Sequence, residues 1–560
     1  MDWVQTYDPL GQPLVSSLVA AGPIIVLLGL LLAGVSAPRA AAAALAAALA
    51  IAVGMFRMPL AAAAAAAGYG ACYGLLPIGW IILPAVFLFH LTVLSGQFEV
   101  LKRSVAIVSP DRRIQALLIA FCFGTLLEGA AGFGAPVAIC SALLIGIGFR
   151  PLYAAGLALL ANTSPVAFGS LGIPIHTLAQ VSGLDPLALS KMVGRQLTPF
   201  SLLIPVWVVA VMSGWKGVKG CWPALVVCGG SYAAIQFAVS NYHGPALVCV
   251  AGGLGSLGAT VLWLRFWQPK QIWRFPGEDQ PVNPAAGVPL RARQIAYAWM
   301  PWLVLTAMVF LWGWPAWQTI LNGGPPDRPN LLHGVGKLSI PVPGLYGRVY
   351  RTAPVVEVKP GSDRAAKAEP AVFDCPWLSA TGTGLLLASV LVATWLRIGP
   401  RVFLRQFAQT VVHIRWALAT IVCTLALAFV IRYSGADAAM GLVFTRTGCL
   451  YPLFAPLLGW LGVAVTGSDT SANALFGSLQ KITALQLHLD PILIAASNST
   501  GGVMGKMIAA PSIVVAAAAT DQTGREGAIL RFVIFHSLAL GLLVGLLTLA
   551  QAYVLTWMVP

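Results

Sequence analysis

Thr466-Gly467-Ser468-Asp469-Thr470-Ser471-Ala472-Asn473 interrupts an otherwise apolar tail running from 441 to 557, and one span later comes Asn498-Ser499-Thr500-Gly501-Gly502-Val503-Met504-Gly505-Lys506. The other half of the chain repeats this layout. There Glu128-Gly129-Ala130-Ala131-Gly132-Phe133-Gly134-Ala135-Pro136 is followed, after a span, by Asn162-Thr163-Ser164-Pro165, then Gly169-Ser170 and Gly172-Ile173-Pro174. Each copy places a carboxylate in a run of small residues, then Asn and hydroxyl residues among glycines. Such sequence breaks helical hydrogen bonding, and inside a membrane the freed backbone groups are tolerated only where they line a polar cavity. Paired breaks at corresponding places in two halves point to a transport site, where half-helix N-termini aim N–H groups at an anion. Tight helix packing through small residues would explain either copy alone. Two matched copies, each with an acid, favour the transport site over packing.

The surrounding composition sets the class. Of 560 residues, 58% are hydrophobic and only 9% charged, with a mean hydropathy of +0.83; a soluble domain carries about 25% charged residues. Spans of about 20 apolar residues recur along the chain, which leaves room for roughly 12 to 14 crossings. The expected fold is an all-α polytopic membrane protein with two repeated, inverted halves containing broken helices. They form one transporter domain: an N-terminal repeat over 1–265, a C-terminal repeat over 296–560, and an extracytoplasmic excursion over 315–377. Expected spans lie near 14–34, 41–57, 60–94 (kinked at Pro77 or Pro84), 114–127, 130–148 and 151–171. Others lie near 196–213, 222–240, 245–265, 296–314, 378–396 and 411–431, with four or five more after 441.

A net charge of +15 raises nucleic acid as a partner, but no basic domain is present to bind it. The charges sit in short loops: Lys102, Arg103, Arg112 and Arg113; Lys216 and Lys219; Arg265, Lys270, Arg274, Arg291 and Arg293; Arg397, Arg401 and Arg405. Placing all four loops in the cytoplasm satisfies the positive-inside rule. It puts the N-terminus and the 315–377 excursion outside, with Trp314, Trp317 and Trp377 at the interface. Asp2 and Asp8 precede the first apolar run in place of a basic signal-peptide head, so the first span is expected to be retained. The nine cysteines form no Cys-x-x-Cys pair and imply no disulfide framework. No Walker-type phosphate loop appears, and the glycines at 129, 132 and 134 lack the strand–helix–strand unit of a dinucleotide site. Neither cofactor nor metal is expected.

Intramembrane charge is costly and marks ion or proton paths. Glu128 and Asp469 are the proton-coupling candidates. Lys506 is the matching cation, either holding a substrate carboxylate or paired with one of the acids. Asn162, Thr163, Ser164, Ser468, Thr470, Ser471, Asn498, Ser499 and Thr500 complete the substrate-binding set. Arg195 reads as snorkelling from the start of a span, Arg432 and His90 as interfacial, and His176 as a lesser candidate for the cavity. The seven histidines form no obvious pair.

These stretches resemble the lactate permease family. The resemblance is carried by Tyr69 through Trp80, Cys122 through Pro136, Pro151-Leu-Tyr-Ala-Ala-Gly156, Asn162 through Gly169 and Gly172-Ile-Pro174. It continues in Gly459-Trp-Leu-Gly462, Gly467 through Ser471, Gly501 through Met507 and the terminal Gln551 through Pro560. It implies proton-linked uptake of L-lactate, D-lactate and glycolate across a bacterial inner membrane, and places Glu128, Asn162, Asp469, Asn498 and Lys506 within family motifs. Met507-Ile-Ala-Ala-Pro511-Ser512 departs from the Ser-Pro-Gln-Ser expected there, and Arg432 replaces an uncharged polar residue; both bear on substrate preference. The partners implied are a small monocarboxylate, protons and lipid, with a homodimer left open. Alternatives are a carrier for another small organic anion, a passive channel, or a membrane-embedded enzyme. The last would need paired haem-ligating histidines or an exposed acid–base pair.

Overall fold

The computed structural model describes residues 2–33, 35–106, 108–130, 134–276, 290–324, 328–355, 366–369, 371–522 and 525–560. Ala131, Gly132 and Phe133 of the first motif, and parts of the 315–377 excursion, lie outside the described residues.

Helices dominate because uninterrupted apolar sequence in lipid must satisfy its own backbone. The first half opens with strand β1 (Trp3–Val4) and then α1 (Pro13–Ala20), α2 (Gly22–Leu32), α3 (Ala37–Gly54) and α4 (Leu60–Tyr73). A wide turn at Gly74–Gly79, with Leu76 off helical geometry, separates α4 from α5 (Trp80–Leu94). The 60–94 span therefore bends just before Pro77, while Pro84 lies within α5. Next come the amphipathic α6 (Gln97–Ala106), α7 (Arg112–Ala116) and α8 (Gly124–Ala130), the last two joined by a wide turn into one span over 112–130. That span is wholly enclosed by protein. Then follow α9 (Ala135–Gly146), α10 (Pro151–Ala161), α11 (Gly169–Ser182), α12 (Pro186–Tyr242) and α13 (Val248–Trp263).

In the second half, α14 (Ala292–Gly313) and the short α15 (Pro315–Leu321) lead into a small β cap. Its strands are β2 (Leu338–Pro341), β3 (Val349–Thr352), β4 (Ala366–Ala368) and β5 (Val372–Cys375). After the cap come α16 (Thr381–Trp395), α17 (Pro400–Ser434), α18 (Ala436–Phe444), α19 (Tyr451–Thr466), α20 (Asp469–Gln486), α21 (Pro491–Gly505), α22 (Ala510–Ala519) and α23 (Glu526–Tyr553).

Among the described residues, eight helices are long and apolar enough to cross a bilayer singly, and eleven spans result when each bent pair counts as one. One of the eight, α12, has 57 residues and would measure about 85 Å at 1.5 Å per residue, far more than a bilayer core of about 30 Å. It breaks at Gly214 (φ 66°, ψ −177°), beside the basic pair Lys216 and Lys219. It thus supplies both of the spans expected near 196–213 and 222–240.

The basic loops converge on one face. Arg113 pairs with Asp111 at 2.6 Å and donates to the carbonyls of Gly217 and Gln271, joining three of the loops. Tyr297 donates to the carbonyl of Trp395 at 3.0 Å and stacks on its ring, bringing in the fourth. Arg112 and Arg113 are buried here, rather than free loop charges, because carbonyls and Asp111 consume their donors. At the opposite end β1 pairs in parallel with β3, so the N-terminus and the excursion share a face.

Candidate functional site

Two corresponding hairpins build the site. In the first half, span 112–130 ends near Glu128, Gly134 adopts φ 85° ahead of α9, and α10 bends by 63° into α11. In the second, α19 ends at Gly467 (φ 73°) ahead of α20, and α21 bends by 42° into α22. Each bent pair starts with Pro at its first turn, with Arg150 and Asp490 respectively at the N-cap. The halves interlock: α11 packs on α20, and its counterpart α22 packs on α9.

Glu128 is buried in the last turn of α8, where Asn162 Nδ2, at the end of α10, donates to its Oε2 at 2.9 Å. Its other oxygen rests on Gly169, where an added Cβ would lie 2.6 Å from Oε1. Immediately beyond, Ser170, Leu171 and Gly172 hold φ of 44°, 61° and 76°. Two of these three are not glycine, and left-handed backbone costs such residues about 1–3 kcal/mol each, a strain that concentrates at ligand clamps and active sites.

Asp469 is the second copy's acid, at the N-terminus of α20. Its Oδ2 accepts from Ser499 Oγ at 2.5 Å and Asn473 Nδ2 at 3.3 Å. Its Oδ1 is buried without a donor among the described residues. Gly502 makes room for that atom, because a Cβ there would lie 2.4 Å away. A polar relay continues outward. Asn473 Oδ1 accepts from Asn498 at 2.9 Å, Asn498 Oδ1 from Gln480 at 3.1 Å, and Gln480 Oε1 from Tyr451 at 2.7 Å. Ser468 caps α20, its hydroxyl accepting from the Ser471 N–H.

Lys506 follows α21 in a short 3-10 turn and donates to the Gly467 carbonyl at 2.5 Å. Among the described residues it makes no ion pair within 4.0 Å, so the fixed Lys–carboxylate clamp is not the arrangement here. Instead Glu128, Asp469 and Lys506 line one cavity of about 290 Å³, together with Ser468, Thr470 and Ser471.

The remaining candidates stand behind that lining. Asn162 and Ser499 hold the two acids, and Asn498 belongs to the relay. Thr163 bonds back to the Leu160 carbonyl, Ser164 bonds Ser201, and Thr500 bonds Gln196 on α12. Thr420, Ser170, Ser512 and Thr466 also line the cavity, although none is among the sequence candidates. Thr420 sits within an unbroken apolar helix, so nothing marks it, whereas Ser170, Ser512 and Thr466 adjoin the breaks and carry that signal.

The comparisons with known proteins complete this picture. A family model described as "L-lactate permease" matches residues 16–555. The chain belongs to the L-lactate permease family. An L-lactate permease of Salmonella typhimurium is 44% identical over 564 residues, covering 100% of each chain. The glycolate permease GlcA of Escherichia coli is 44% identical with 99% of each covered, and an L-lactate permease of Bacillus subtilis is 44% identical with 100% of each covered. As a permease-family chain it is a multi-pass membrane transporter.

Other polar groups of this permease-family chain depart from their sequence reading. Arg432, in the last turn of α17, is engaged by protein groups on both sides. Its Nη1 donates to the Gln180 and Val181 carbonyls, and its Nη2 pairs with Glu369 of the cap at 3.0 Å. Arg351 joins the same network, 2.5 Å from Glu369 and 3.2 Å from Asp437. Arg195 is likewise tied down, to Asn241 and the Met558 carbonyl. His90 bonds Thr410 and lies 5.1 Å, ring to ring, from His413, so these two histidines do form a pair. His176 faces a separate cavity from the two acids. No cluster of metal-ligating residues occurs among the described residues.

Proposed function

We propose that the protein is a secondary carrier that takes up lactate or glycolate with a proton across a bacterial inner membrane. The observation that carries this reading is the meeting of two acids and one lysine on a single cavity between two broken spans. At about 30 Å³ per water, 290 Å³ suits a three-carbon acid with a few waters. The Lys506 ammonium, held only by a carbonyl among the described residues, is available to a substrate carboxylate, and the hydroxyls of Ser468, Thr470 and Ser471 to its 2-hydroxyl. Asp469 Oδ1, which has no protein donor among the described residues, and the Glu128 carboxyl are the places for the coupling proton. One proton per monocarboxylate makes the transported pair neutral, which reduces the cost of crossing a low-dielectric interior.

In this reading the two halves, 1–265 and 296–560, are inverted repeats, and the carrier alternates access by rocking α11–α20 against α9–α22. The basic face is cytoplasmic, so the N-terminus and cap are periplasmic. Glu128→Gln separates coupling from binding. The variant is expected to exchange lactate across proteoliposome membranes yet not accumulate it against a gradient. Undiminished accumulation removes Glu128 from the coupling role.

A further inference from the structure

The helices that wall the central cavity wall a second one. Along α11, Ser170, Ile173 and Pro174 line the first, while His176, Ala179 and Gln180 line a cavity of about 440 Å³ nearer the cap. Along α17 the matching sets are Ala417, Thr420 and Ile421, then Phe429, Arg432 and Tyr433. An offset of six to twelve residues corresponds to about 9–18 Å of helix, so the two cavities follow one another along the same two helices. A further chamber of about 550 Å³ continues the series along α9, from Gly134 to Ala138 and Ala142, and opens beside Lys102 and Arg103 on the basic face. The outer chamber is roofed by Val372 and Asp374 of β5, and Tyr69 on its wall holds that strand by donating to the Val372 carbonyl at 2.6 Å.

Charge at the outer chamber favours an anion. Arg432 and Asp374 both line it, Asp374 being held by Lys337 at 3.1 Å, and around Arg432 stand Arg351 and Lys481 against the carboxylates of Glu369 and Asp437, four cations to three anions among the described residues. A guanidinium presents five donors in a planar fork; Glu369 and the Gln180 and Val181 carbonyls engage part of the Arg432 set, and the remaining N–H groups are those offered to a further carboxylate.

We propose that this outer chamber is an anteroom in which Arg432 binds the substrate's carboxylate before it passes along the α11–α17 groove to the central cavity. The proposal rests on the carrier reading above, with a small monocarboxylate as the ligand. Arg432 also caps the end of α11, so its replacement can disturb folding, and a second probe is needed.

The experiment labels the Ala179→Cys variant in right-side-out vesicles with a membrane-impermeant, negatively charged methanethiosulfonate, with and without L-lactate. The parent chain, whose exposed thiols are Cys72 and Cys449, supplies the background. Lactate uptake by parent and Arg432→Gln is measured in the same vesicles. The anteroom predicts that lactate slows labelling of the Ala179→Cys variant several-fold, and for folded Arg432→Gln a KM about tenfold higher with kcat nearly unchanged. Labelling at the same rate with and without lactate overturns the anteroom. So does an unaltered KM in the folded variant. If the parent takes up lactate while either of these occurs, the carrier reading stands alone; if the parent takes up none, both fall.

Discussion

At the scale of single residues, the acids sit in seats that only glycine leaves open. Gly169→Ala would put a methyl 2.6 Å from Glu128 Oε1, and Gly502→Ala one 2.4 Å from Asp469 Oδ1. Both contacts are below van der Waals distance, in a protein interior that packs as densely as a crystal. Overpacking of this kind costs about 1–3 kcal/mol, and the carboxylates must turn away from Asn162 and Ser499. Each variant is expected to lower lactate transport at least tenfold while still inserting and migrating as a monodisperse species in detergent. Transport at parental rate in either would remove the seat from the account. The charged members of the site were legible in the sequence because Glu128, Asp469 and Lys506 interrupt apolar spans, where a charge demands a reason. Thr420 was not, since a lone threonine in an apolar helix is compatible with lipid, a core or a cavity alike.

At the scale of elements, the cap is pinned to the helices by buried charge. Burial alone would push the Glu369 carboxyl up, but the guanidiniums of Arg432 and Arg351 outweigh it and hold the group below the ordinary carboxylate range. A depressed folded-state value stabilises the fold above the unfolded value of about 4.3, and that contribution fades as pH falls through the lower folded value. Protection of strands β3 and β4 against hydrogen exchange, taken relative to the intrinsic amide rate at each pH, should therefore be high at neutral pH and fall on acidification below about pH 4. Glu369→Gln should lower it already at neutral pH and flatten the acid response. A variant with parental exchange at both pH values would show that the latch does not hold the cap. On the other face, Asp111→Asn leaves Arg113 buried with its charge uncompensated, for which breaking buried pairs suggests a loss of about 3–5 kcal/mol. A clearly lowered melting temperature in detergent is expected, and an unchanged one would mean the carbonyls of Gly217 and Gln271 suffice. Neither latch was visible in the sequence. Glu369 lies in an excursion without periodicity, and Asp111–Arg113 reads as an ordinary loop until three loops are folded against it.

At the scale of the whole molecule, hydropathy gave the class and the matched breaks gave the layout. The Gly467 and Gly134 turns and the bends after α10 and α21 fall where the glycine and proline clusters place them. The interlocking of α11 with α20 and α9 with α22 was not legible, because helix pairing in lipid depends on side-chain fit rather than on apolar pattern. That interlocking sets both acids and the lysine on one cavity, and from there follows the claim that proton and carboxylate travel together. Its most direct test is radiolabelled lactate uptake into proteoliposomes holding the purified chain, with the interior made one pH unit more alkaline than the outside. For one proton per lactate, accumulation about tenfold above the external concentration is expected, collapsing when a protonophore is added. Uptake that stops at equal concentrations, indifferent to the gradient, would contradict it.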